Sequence, residues 1–165
     1  MKNYPLISLV LAFALFTLVG CSHDPHILLG KWQSDVAHSM SWNDKHAKLS
    51  KAEEAQFIEL LGNMEITYRE DGTATIEMKP HILTYWGQRV PQPGYRREAR
   101  YKILSGDEFS LLVQLKDREK LEITNQIHFV GTDTYWIRFG KAKANGDPRE
   151  YFTRIGKTDF RNPIP

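Results

Sequence analysis

One cysteine, Cys21, is all that the 165 residues contain, so no disulfide can form within the chain and its fold must stand on its core. The frames that metal binding and catalysis use are missing as well. No C-x-x-C or H-E-x-x-H pair is present to hold a metal, and no G-x-S-x-G presents a serine nucleophile. His23 and His26 sit on a proline-bearing tether that fixes no ligand geometry, and the acids Glu53 and Glu54 fall on a helix as solvated charges. The chain is therefore not expected to be an enzyme or to carry a metal or cofactor. Charge of one sign is also scarce. Lys and Arg total 22 against 20 Asp and Glu, which gives no electrostatic footprint for nucleic acid. No low-complexity tract or solenoid-period repeat occurs.

Long hydrophobic runs are absent too. The longest, Leu6 to Leu18, is broken only by Ser8 and Thr17 and falls short of the ~20 residues that a spanning helix needs. Lys2 precedes it and polar "SHDPH" follows Cys21, the layout of a processing signal with a charged start and an apolar middle. "LVGC" at 18–21 resembles the lipobox of bacterial lipoproteins. That resemblance implies cleavage after Gly20, a diacylglycerol on the Cys21 sulfur and acylation of the new amine. Each buried methylene contributes ~0.8 kcal/mol, so two or more chains anchor a protein to a bilayer where one is marginal. Ser22 stands where lipoproteins kept at the inner membrane carry Asp, so the resemblance implies the periplasmic face of the outer membrane. A buried free thiol or a catalytic one is the alternative, but the edge of a leader offers no base to activate a nucleophile.

Behind a leader over 1–20 and a tether over 21–29 lies one domain, 30–156, and then a tail over 157–165 with two prolines. Such a domain is long enough to bury a full core. Its dominant pattern has period two. In "MEITYRE" the apolar set is Met64, Ile66 and Tyr68; after Asp71-Gly72, "TATIEM" answers with Ala74, Ile76 and Met78. Alternating runs on either side of Asp-Gly predict a hairpin. The alternation returns in "YRREARYKIL", "FSLLVQLKD", "LEITNQIHFV", "YWIRFG" and "REYFTRI", and turns between them make an antiparallel meander.

One segment keeps helical spacing. Ser50 and Glu53 form a capping box, and Ala55, Phe57, Ile58, Leu60 and Leu61 recur on one face up to Gly62, which predicts a helix of about three turns. With "KWQSDVAHSM" as the first strand and residues 82–88 undecided, the count is eight or nine strands. An open meander of that size leaves two bare edges, and closure removes them. The expected fold is all-β: an up-and-down antiparallel β-barrel with one short α-helix between the first and second strands, closed over the barrel mouth. A β-sandwich is the alternative.

Gly30 and Trp32 in "LLGKWQSD", with Arg154 in "YFTRI", resemble the signature of the calycins, the group of lipocalin-like and fatty-acid-binding barrels. The resemblance implies that Trp32 plugs the closed end and that Arg154 packs across it, a cation over an aromatic face. The helix after the first strand is similar to the fatty-acid-binding branch.

Period two assigns one face to the interior: Trp32, Ser34, Val36, His38 and Met40; Tyr95, Arg97, Ala99, Tyr101 and Ile103; Phe109, Leu111, Val113 and Leu115; Leu121, Ile123, Asn125, Ile127 and Phe129. Most of it is apolar, with a few polar intrusions, as in ligand pockets. An interior guanidinium at Arg97 needs an anion. That anion is a ligand carboxylate or phosphate, unless Arg97 pairs with an internal acid or reaches water at the rim. His38 and Asn125 are either ligand contacts or polar groups satisfied within the core. The stretch 80–97 mixes Tyr85, Trp86 and Tyr95 with Arg89, Arg96 and Arg97, which suits a contact surface on a mouth loop or a crossover whose aromatics cover the core.

The resulting expectation is an outer-membrane-anchored periplasmic barrel, attached to the lipid bilayer through acylated Cys21. It binds a small hydrophobic or amphipathic ligand, apolar body inside and acidic head at Arg97, with Tyr95, Tyr101, His38 and Asn125 around it. The competing expectation is a structural or assembly lipoprotein that presents residues 80–97 to an envelope protein partner. An interior void beyond ~300 Å³ favours the first and a filled interior the second.

Overall fold

The computed structural model describes residues 25–85, 88–119, 122–140 and 146–156. Cys21, Trp86, Leu121 and the tail lie outside them. A single 3-10 turn, Pro25–Leu28, leads into ten strands and two α-helices. The strands are β1 (Gly30–Asp35), β2 (Met64–Tyr68), β3 (Thr73–Met78), β4 (His81–Tyr85), β5 (Gln88–Gln92), β6 (Tyr95–Gly106), β7 (Ser110–Asp117), β8 (Glu122–Phe129), β9 (Thr134–Arg138) and β10 (Arg149–Arg154). The helices α1 (Val36–His46) and α2 (Lys51–Leu60) both fall between β1 and β2.

Alternation builds the barrel as expected. Eight antiparallel strands close in the order β1-β10-β9-β8-β7-β6-β3-β2, and β1 completes the ring by pairing Trp32 with both Arg154 of β10 and Ile66 of β2. The Asp71-Gly72 hairpin forms: Thr73 donates its N–H to the Asp71 carboxylate at 2.9 Å, and Gly72 takes the positive φ that an L side chain resists. Most of the inward set packs as one core in which Trp32, Leu111, Val113, Ile127, Tyr135 and Phe152 are essentially fully buried, but Tyr95 and Phe109, expected inside, are exposed: Tyr95 begins its strand at the open rim and Phe109 lies in the turn before β7. Closure gives every inner strand edge a partner, and the sandwich alternative does not apply.

The first strand is shorter than its period-two pattern suggests. Val36, His38 and Met40 were expected to continue inward along it, yet Asp35 ends the strand: its carboxylate accepts the His38 N–H at 3.0 Å and caps α1. Lys45 and His46 in the last turn suit the negative end of the helix dipole. The buried residues of α1 are polar, Ser39 and Asn43, one helical turn apart. They are buried because β1 pairs with β10 only as far as Asp35 and Tyr151. Beyond that point α1 takes over. Tyr151 donates its N–H to Ser39 Oγ at 2.8 Å, Arg149 its N–H to Asn43 Oδ1 at 3.0 Å, and Asn43 Nδ2 reaches the Arg149 carbonyl at 2.8 Å. One side-chain amide thus does the work of a neighbouring strand.

The second helix is the expected one, and its capping box is complete. Gly62 follows it with φ +76°, where an added Cβ would stand 2.6 Å from Val36 Cγ2, so the loop can pass beneath α1 only without a side chain. Of residues 82–88, undecided from sequence, 82–85 and Gln88 fall in a hairpin: β4 and β5 pair with each other and join no strand of the barrel. We call this hairpin the arm.

Candidate functional site: a plugged end, a buried acid and an external arm

The closed end is organised by Arg154. Its guanidinium carbon lies 4.2 Å over the Trp32 ring, and the indole Nε1 donates to the Leu28 carbonyl at 2.8 Å. The same guanidinium donates to the carbonyls of Leu29, Ile27 (2.7 Å) and Thr132 (3.0 Å) and to the Asp133 carboxylate (3.1 Å). Gly30 makes room for it: at φ +116° an added Cβ would sit 2.9 Å from Arg154 Nη1. Gly30, Trp32 and Arg154, singled out together from sequence, therefore form one contact, with Arg154 packed across Trp32 as expected.

Above this plug lies a group that sequence reading missed. Glu150 shares the inward parity of Phe152 and Arg154 and is 3% exposed. Its Oε1 accepts the Ser34 hydroxyl at 2.6 Å, and Ser34 Oγ in turn accepts the Gly62 N–H at 2.9 Å. Burial disfavours the ionised form, so the Glu150 carboxyl is pushed up to about 7 despite the Ser34 bond. Tyr135, 1% exposed, stands diagonally across the β9–β10 pairing. Its hydroxyl neighbours that of Tyr68, and burial raises its pKa, with Tyr68 and Glu150 adding to the effect. In "NGDPREYFTRI" only strict alternation back from Arg154 could have placed Glu150 inside.

The five candidate ligand residues do not converge. Arg97 faces inward beside Ile76 and, at the upper end, already has anions: Asp117 at 3.2 Å and Glu119 at 3.9 Å, with its own side chain 40% exposed. The internal acid that pairs with Arg97 is thus Asp117, contributed by the end of β7. Tyr95 is exposed, its ring 5.5 Å from the Arg97 guanidinium. Tyr101 lies towards the closed end, its hydroxyl donating to the Arg69 carbonyl at 2.9 Å and its ring edge-on to Tyr68. Asn125 keeps the inward parity of Ile127 and is half-buried opposite Val113. His38 is misplaced by the sequence reading: it rides on α1 outside the barrel, stacked on Tyr151 at 3.9 Å.

Outside the wall a second aromatic set binds α1 to the barrel. Arg149 lies between Trp136 (3.7 Å) and Trp42 (4.1 Å), with His128 stacked on Trp136 at 4.0 Å. Burial and the Arg149 charge hold His128 below its ordinary pKa. The arm stands apart from these layers. It is tied to α2 where Glu59 accepts the Thr84 N–H (2.6 Å) and hydroxyl (2.5 Å), and Ile82, Val90 and the neighbouring Tyr95 are exposed. An open groove of about 580 Å³ is lined by Tyr95–Arg100 and Asp117–Glu119.

Among the described residues, no three His, Cys, Asp or Glu side chains are grouped to hold a metal, and no helix is long and apolar enough to cross a membrane. Comparison with protein-family models, curated proteins and solved structures finds no match to the chain. The molecule is a closed eight-stranded antiparallel β-barrel with an external hairpin, and its geometry alone carries the functional reading.

Proposed function

We propose that the chain is an acylated envelope lipoprotein whose barrel is a rigid scaffold that presents the β4–β5 arm to an envelope protein partner. One observation carries this reading: the closed end and middle of the interior are packed with fully buried side chains such as Trp32, Val113 and Phe152, while the arm stands outside the barrel with Ile82 and Val90 exposed and Tyr95 exposed beside it. A lone two-stranded hairpin is marginal in water, so holding one against a helix through Glu59 suits presentation. The Gly30–Trp32–Arg154 contact supports kinship with the calycins, and "LVGC" supports lipidation of Cys21 at the outer membrane. A photo-crosslinking residue at Val90, compared in intact cells with one at Lys102 on the barrel wall, tests the reading. A single discrete adduct from position 90 alone is expected; equal or absent adducts at both overturn it.

The ligand-binding reading is second. It is favoured by the buried Glu150 and Tyr135 and by the inward residues Arg97, Ile123 and Asn125, which remain partly exposed in the upper barrel. Because Asp117 already occupies Arg97, an acidic ligand head would have to displace a carboxylate. A co-purified fatty acid or lipid seen by native mass spectrometry, and lost in Arg97→Ala, supports this reading; a clean apo mass counts against it.

A further inference from the structure

The large exposed apolar residues fall into two groups. Val36, Ile58, Ile82, Val90 and Tyr95 lie on the helices and around the arm, whereas Leu104, Phe109 and Val130 lie elsewhere. The second group belongs to the closed end. Arg154 fixes this: one side chain donates to the carbonyls of Ile27 and Leu29, where the chain leads into the barrel, and, at the turn after β8, to the Thr132 carbonyl and the Asp133 carboxylate. Val130 begins that turn. Phe109 stands beside it, because Phe129 donates its N–H to the Phe109 carbonyl at 2.7 Å. Phe109 is 66% exposed and Val130 53%, while Leu104 (43%) sits at the bulge of β6 near the same turn.

We infer that this end is a membrane-docking face, in which Phe109 and Val130 enter the outer layer of the bilayer that carries the Cys21 lipid. The inference rests on the anchored reading and adds an orientation to it. Cys21 precedes Pro25, where the described chain begins, by four residues, a reach of at most ~14 Å for extended backbone. An acyl anchor there brings the end bearing Ile27, Leu29, Phe109 and Val130 to the lipid surface and turns the arm towards the periplasm. Apolar side chains in the interface gain by leaving water, and a short tether makes that gain local to one end. The acids nearest these tips are engaged: Asp107 accepts the N–H groups of Phe109 and Ser110, and Asp133 is held by Arg154. Asp107, whose bonds here are to neutral N–H groups, and Glu108 keep negative charge beside Phe109, so the fitting surface is zwitterionic rather than anionic lipid.

The test uses the full-length acylated protein in phosphatidylcholine vesicles. Because acylation blocks the native thiol, Phe109→Cys, Val130→Cys and, on the arm, Arg89→Cys can each take a single nitroxide. At 109 and 130, collisions with bilayer-soluble oxygen are expected to exceed those with a water-soluble nickel chelate; at 89 the order reverses. Labels at both 109 and 130 that collide mainly with the nickel chelate, on protein whose mass shows the acyl chains, overturn the docking face and leave the anchor standing. An unmodified Cys21 in that mass overturns the anchor and the docking face with it. The two labelled tips lie on separate turns, so misfolding of one variant, seen by circular dichroism, leaves the other to decide.

Discussion

The Arg154 guanidinium carbon lies 4.2 Å over the Trp32 ring while its nitrogens hold two chain segments, 27–29 and 132–133, against the same end of the barrel. The planar fork of guanidinium serves several carbonyls at once, which an ammonium cannot. Arg154→Lys should therefore cost about 1–2 kcal/mol, since the partly buried carbonyls of Ile27 and Leu29 lose donors. Urea unfolding followed by Trp fluorescence reads both the loss and the altered indole environment; an unchanged midpoint contradicts the role given to Arg154.

Glu150 makes stability depend on pH in an unusual direction. Its carboxyl is raised from 4.5 to about 7, so the folded state holds a proton that the unfolded chain has already released. The contribution is complete below pH 4.5, declines as pH rises towards 7 and is gone above it, a change of up to about 3 kcal/mol by proton linkage. Glu150→Gln, which keeps an acceptor for Ser34, should remove this slope and be the more stable form at pH 8. Denaturant midpoints across pH 4–8 that are parallel for the two proteins would contradict the assignment.

Asn43 stands in for a strand at the free edge of β10. Asn43→Ala removes an acceptor from the Arg149 N–H and a donor from its carbonyl, at roughly 2 kcal/mol for buried backbone groups left unpaired. Amide hydrogen exchange should accelerate at Arg149 and at Tyr151 more than at Phe152, whose N–H lies in the intact ladder. Equal protection at all three after the substitution would show that α1 does not complete the sheet.

His128 reports on the Trp136–Arg149–Trp42 stack. Burial is the larger cause of its low pKa and Arg149 the next. Removing the charge in Arg149→Gln should raise the imidazole pKa towards its ordinary value, because the imidazolium no longer faces a cation. NMR titration of the His128 ring measures this; a fall or no change would separate the two side chains electrostatically.

Much of the wall was legible because a strand with one wet face writes its parity into the sequence. Met64, Ile66, Tyr68, Ala74, Ile76 and Met78 turn inward as their alternation implies, and the Ser50–Glu53 box begins a helix where expected. The same parity misled at Val36, His38 and Met40. Alternation over so few residues also fits a helix, and the capping bond from Asp35 decided between them. Of the candidate site, Gly30, Trp32 and Arg154 came together, whereas the acid beside Arg97 and the buried Glu150 did not show. Ion pairs join residues by space, and an isolated Glu between polar neighbours looks solvated in any sequence.

By itself the amino-acid pattern determined which elements form and which face of each is apolar, since both are set by neighbours a few residues apart. Only the tertiary structure decided that the sheet closes through β1, that Asn43 replaces a strand, that Asp117 neutralises Arg97 and that β4 and β5 leave the wall as an arm. Each of these depends on residues distant along the chain meeting at ångström range, and local propensity contains no term for that distance.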